Sequence, residues 1–90
     1  MRTCLFVLLN HVFYRDLELL YGKNSYVDVK SVKYSTTNHR YVIDCKLHVS
    51  NIDLYSEVGD NGLKMLIEEC WKYVGMDSSK IVIIITTDSI

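Results

Sequence analysis

Apolar residues recur at helical spacing from Leu5 to Tyr21. Phe6, Leu9, Phe13, Leu17 and Leu20 form one stripe, with Leu5, Leu8, Val12 and Leu19 beside it. Arg15, Asp16 and Glu18 supply a thin polar side. The stripe is too wide for a helix with one buried side, so its first half is expected to pack on two surfaces. Gly22 provides the left-handed stop.

Two strands follow. Tyr26 to Tyr34 alternates at Val27 and Val29, then changes phase to Val32 and Tyr34, which predicts a bulge near Lys30-Ser31. Ser35 to His39 is a polar hairpin loop. Arg40 to Val49 has the cleanest alternation: Tyr41, Ile43, Cys45, Leu47 and Val49 inward, Asp44, Lys46 and His48 outward. Val42 is the lone apolar residue on the outward side. Asn51 to Val58 fits either a loop or a short helical turn built on Ile52, Tyr55 and Val58. A second helix is predicted from Asn61 to Val74, with Leu63, Leu66, Ile67, Cys70 and Val74 buried and Trp71 just off the stripe. Asp60 or Asn61 can cap its start and Gly75 its end.

The last element, Lys80 to Thr87, holds five consecutive β-branched apolar residues, Ile81 to Ile85. Such a run is strand, and alternation gives it two apolar faces. The order α-β-β-(α)-α-β predicts a single α+β domain over residues 1–90, a small two-layer sandwich with a three-stranded sheet and two helices on one face. Helices over Ile81, Ile83 and Ile85 leave Val82, Ile84 and Val42 on the opposite face, with Val32 and Tyr34 assigned there as well. Leaving Val82 and Ile84 wet forgoes roughly 3–6 kcal/mol at ~1.5–3 per side chain. A chain of this length has only about 5–13 kcal/mol of net stability. That face therefore needs a cover: a protein partner, or the chain's own first helix or Thr86–Ile90 tail. An apolar centre ringed by Asp44, Lys46 and His48 is how a protein–protein patch is built.

Composition narrows the partner. An apolar fraction of 49% with net charge −1 describes a folded chain with no basic field to draw nucleic acid or an acidic membrane. The chain has no Pro, no Ala and no Gln and is rich in Ile, Lys, Asn and Tyr, the codon signature of an AT-rich genome. A small phage or viral structural component fits that signature. The odd set Cys4, Cys45 and Cys70 lacks paired spacing, so no disulfide framework is expected. The apolar start, Leu5 to Leu9, stops at Asn10-His11 without a cleavage site, far short of the ~20 residues that span a membrane. The expected location is intracellular and soluble, or within a virion.

Catalytic chemistry finds no support in the pattern. Cys45 and Cys70 fall on inward faces, as ordinary core residues, and His48 points away from Cys45 because adjacent strand positions oppose each other. There is no Cys-x-x-Cys or His-x-x-x-His for zinc. A calcium loop starting at Glu57 has Gly59 where a ligand is needed and Lys64 where an apolar residue belongs. Glu68 and Glu69 diverge by about 100° on a helix. No enzyme activity, metal or cofactor is expected. The tyrosines, seven in all, with Trp71, fit half-buried rims or an interface.

One local pattern points elsewhere. Val58-Gly59-Asp60-Asn61-Gly62 joins the open segment to the second helix. This Gly-x-x-Gly between two helical segments, with the element order, resembles a type II KH domain, a binder of single-stranded nucleic acid. The resemblance covers most of the chain. It implies that Gly59 and Gly62 clamp a sugar–phosphate backbone, with Lys64 the cation close by. Asp60-Asn61 stands where that family usually carries a basic residue, and an Asp beside phosphate is repulsive. The primary expectation is an oligomeric structural or assembly subunit; the alternative is this nucleic-acid-binding module.

Overall fold

The computed structural model describes the backbone of residues 1–90 and every side chain but that of Ser78. The chain opens with α1 (Arg2–Val7), a π-helical turn (Leu8–Val12) and α2 (Tyr14–Tyr21). Then come β1 (Tyr26–Ser35), β2 (Arg40–Val49), α3 (Ile52–Val58), α4 (Asn61–Tyr73), a 3₁₀ turn (Ser78–Lys80) and β3 (Ile81–Ser89). The predicted α+β order is the observed one, and the segment left open between loop and turn is α3. Asn51 starts that helix: its Oδ1 accepts from the N–H of Asp53 (3.1 Å) and of Leu54 (3.2 Å).

The first helical run differs from a regular helix. The π turn inserts an extra residue, and Phe13 breaks the run at φ −99°, ψ 22°. The extra residue rotates the buried stripe. Leu5 is buried before the turn, Leu8 and Leu9 within it, and Leu17 and Tyr21 after it, while Phe6 is exposed and Leu19 is left 78% exposed. Both halves pack on the same side of the sheet as α4, in one core with Ile43, Leu47, Leu63, Ile67 and Trp71. The first run therefore does not cross to the second sheet face. Nor does the tail, which extends β3 as far as Ser89.

Sheet order is β1-β2-β3, with β1 antiparallel and β3 parallel to β2. The return from β2 to a parallel β3 needs a crossover, and α3 with α4 provides it. The bulge falls where the phase change predicts it, with the register shifting between Val29 and Ser31. In α4, Leu63, Leu66, Ile67 and Cys70 are buried as expected. Trp71 joins them, whereas Val74 lies past the helix end and is exposed. Asp60 occupies the position before α4 but makes no cap bond, because its carboxylate is engaged elsewhere.

Candidate interaction surface

With every helix on one side, the second sheet face is open. It carries Tyr26, Asp28, Ser31 and Lys33 from β1, Val42, Asp44, Lys46 and His48 from β2, and Val82, Ile84, Thr86 and Asp88 from β3. Val82 is 38% exposed and Ile84 48%, with Val42 half-buried beside them. Val32 and Tyr34, assigned to this face from the pattern, lie on the other one. The bulge at Lys30 resets the strand's parity, so Val32 pairs with the core-facing Ile43 and Tyr34 with Tyr41. Val32 packs against the core, and the Tyr34 ring meets Tyr41 edge-on at 5.0 Å, which in turn meets Trp71 at 5.3 Å. The apolar patch is thus narrower than expected and concentrated on β3.

Charged groups border the patch at the C-terminal end of β2 and β3. Lys46 Nζ lies 3.6 Å from Asp88, and His48 Nε2 lies 3.2 Å from Asp28. Tyr26 stacks flat on the His48 ring at 4.3 Å. These pairs hold His48 among outer-face partners, on the side of the sheet away from Cys45.

The two sheet edges are treated differently. At β1 the outward backbone groups of Val27 are closed by one side chain: Asn10 Oδ1 accepts from Val27 N–H and Asn10 Nδ2 donates to Val27 C=O, both at 2.8 Å. Asn10 reaches them from the π turn and also donates to Phe6 C=O. Its interruption of the apolar run at Leu9 was the signal for such a role. At β3, among the described residues, β2 is the one strand neighbour. Ile90 N–H donates to Val49 C=O (2.9 Å), one residue beyond Val49's register partner Ser89. In a parallel ladder that phase turns the amide groups of Val82, Ile84, Thr86 and Asp88 toward β2 and those of Ile81, Ile83, Ile85 and Thr87 outward. An uncovered edge of apolar residues invites another strand.

The Gly59–Gly62 loop lies at the α3–α4 junction, and its chemistry is turned inward. The Tyr21 hydroxyl donates to Gly59 C=O (2.7 Å) and accepts from Leu63 N–H (2.8 Å). A Cβ at Gly62 would lie 2.6 Å from Val58 Cγ1 and 3.0 Å from the Tyr21 hydroxyl, so this glycine is required for packing. Asp60 Oδ1 accepts from the Tyr55 hydroxyl (2.9 Å) and from Thr87 Oγ1 (3.2 Å). Lys64 is exposed one turn into α4. Gly59 alone, at φ +64° with open space around it, keeps the form of a clamp. A second apolar surface, not foreseen from the pattern, is a groove between α2 and α4 lined by Leu19, Leu20, Met65 and Leu66, with Asp16 and Glu69 at its rim.

Cys45 and Cys70 are buried and Cys4 is exposed, all as free thiols. Burial pushes both inner thiols up to about 12, helped at Cys45 by the charge of Asp44. The thiolate is the reactive form, so at neutral pH Cys4 is expected to label rapidly and the other two only on unfolding. Ellman titration of native protein checks this; rapid release of more than one equivalent would overturn the burial. Among the described residues no helix is long and apolar enough to cross a membrane, and no group of three His, Cys, Asp or Glu side chains converges as a metal site. No model of a protein family, no curated protein and no solved structure matches this chain.

Proposed function

We propose that this chain is a non-enzymatic assembly module that works by packing its outer sheet face against protein, either copies of itself or another subunit. The observation that carries the reading is the exposure of Val82 and Ile84 beside Val42 on a sheet whose helices all lie on the far side. An apolar centre bordered by the Lys46–Asp88 and His48–Asp28 pairs has the composition of an interface core and rim. A non-enzymatic role is supported by the state of the candidate nucleophiles, two of which are protonated core thiols. Codon usage suits a phage or viral structural component as the setting.

Nucleic-acid binding at the Gly59–Gly62 loop has less support. The loop lies between two helical segments as the KH resemblance implies, yet its polar groups and its second glycine serve the core. Asp60 adds negative charge where phosphate would lie, and one Lys64 does not make the several phosphate contacts that useful affinity needs.

Ile84→Lys tests the main reading. The native chain is expected to scatter light as an assembly larger than its 10.5 kDa protomer. The variant should return to the protomer mass with its far-ultraviolet circular dichroism unchanged, because position 84 faces away from the core. A native chain that is monomeric at high micromolar concentration would exclude packing against copies of itself. A variant that unfolds would sink the proposal, since Ile84 would then belong to the chain's own core.

A further inference from the structure

We infer that a second copy of the chain joins at the β3 edge, beside this face, by antiparallel pairing of β3 with β3 about a two-fold axis at Ile84. The inference rests on the assembly reading above and adds the partner, the orientation and the register. The first ground is the contrast between edges. Asn10 seals the backbone of β1 at Val27, while β3 presents the amide groups of Ile81, Ile83, Ile85 and Thr87 outward and uncovered. An edge strand of five β-branched residues, without proline and with no charge from Ile81 to Thr87, has none of the devices that keep edges apart.

Charge selects the register. Lys80 immediately precedes β3 and Asp88 lies next to its end. Antiparallel pairing centred on Ile84 sets Lys80 of each copy opposite Asp88 of the other. A shift of the axis by one residue either way removes both pairings. The same register sets Ile83 against Ile85 of the second copy on the helix face, and Ile84 against itself on the outer face. Opposed β-branched residues of this kind are favourable cross-strand pairs.

The backbone agrees with that choice. Ile83 and Ile85 both turn their amides outward, as do Ile81 and Thr87, so the two combinations are hydrogen-bonded pairs in the joined sheet. Counted for both copies, they supply about eight inter-chain bonds. Ile84 turns its amides to β2 and meets its counterpart as a non-hydrogen-bonded pair, with Cα atoms roughly 4.5 Å apart. The result is a six-stranded sheet whose outer faces join, bringing Val82 and Ile84 of both copies into one apolar strip.

Disulfide trapping reads this geometry directly. In a Cys4→Ser background, Ile84→Cys should cross-link under mild oxidation to a dimer on non-reducing gels, since the expected Cα separation lies within the disulfide range. Val82→Cys and Thr86→Cys, each about 13 Å from its own counterpart in this register, should cross-link at least about ten-fold more slowly. The double variant Val82→Cys/Thr86→Cys should again cross-link fast, because those positions face each other.

Failure of the pairing is distinguishable from failure of the assembly reading. A chain that is oligomeric by light scattering, but cross-links at 84 no faster than at 82, overturns edge pairing and leaves outer-face packing standing. A monomeric native chain overturns the pairing and, with it, any packing of this face against copies of the same chain. Trapping that follows the 84, and 82-with-86, pattern establishes the proposed dimer.

Discussion

Gly22→Ala is expected to cost about 3–5 kcal/mol, a large part of the stability available to a domain of this size. Gly22 has φ 101° and ψ 161°, a backbone state closed to residues with a side chain. Its Cα also sits against the start of α3. An added Cβ would collide with Ser50 Oγ and lie 2.8 Å from Asn51 Cβ and 2.9 Å from Asn51 N. Asn51 N is backbone and Asn51 Cβ is fixed to it, and neither can move freely, because Asn51 N–H donates to Tyr21 C=O at 3.0 Å. Conformational strain of ~1–3 kcal/mol and overpacking of similar size therefore add. Urea melts of variant and native protein measure the difference. A loss below ~1 kcal/mol would mean that α2 and α3 do not approach as described, since overpacking on its own costs that much or more.

Tyr21→Phe should cost about 2–3 kcal/mol, although it removes a single oxygen. That oxygen accepts from Leu63 N–H, a buried donor in the first turn of α4 with no carbonyl of its own helix to bond, and donates to Gly59 C=O. Removing it strands the donor, and stranding is what makes the change expensive. The pH dependence separates this role from simple packing. Burial pushes the Tyr21 phenol from 10.0 to about 12. The folded state thus holds a proton that the unfolded chain has released. This contribution to stability is complete below pH 10 and is lost as pH climbs through 12. The raised thiols of Cys45 and Cys70 act in the same direction from pH 9 upward. Native protein should therefore weaken steadily over pH 9 to 12, and Tyr21→Phe should weaken with a shallower slope. An unchanged slope would place the hydroxyl in water.

The Tyr21 hub also explains why a sequence motif and its apparent chemistry part company here. Gly59 and Gly62 have the spacing of a phosphate clamp, but Gly62 is small because Val58, Leu20 and the Tyr21 hydroxyl crowd its Cα. Asp60, which reads as a cap or a repulsive charge, is an acceptor that ties α3 to β3 through Tyr55 and Thr87. Neither role has a signature in spacing, since Tyr21 lies 38 residues from Gly59 and 42 from Leu63, and Asp60 lies 27 from Thr87.

What the sequence by itself determined is the order of the main elements and the inward faces of the regular ones. Alternation over Tyr41 to Val49 and the helical stripe from Leu63 to Cys70 are local periodicities, and burial simply enforces them. The phase change after Val29 likewise announced the bulge. Tertiary structure decided everything that depends on which surfaces meet. It rotated the first helical run through the π turn, so that Tyr21 entered the core and Leu19 left it. It carried Val32 and Tyr34 through the bulge to the helix side, because a bulge changes parity and the core claims whichever apolar set results. It closed one sheet edge with Asn10 and left the other to Ile81, Ile83 and Ile85. Strand order and edge cover are relations between distant segments, set by the best joint burial of all elements rather than by any residue's neighbours in the chain.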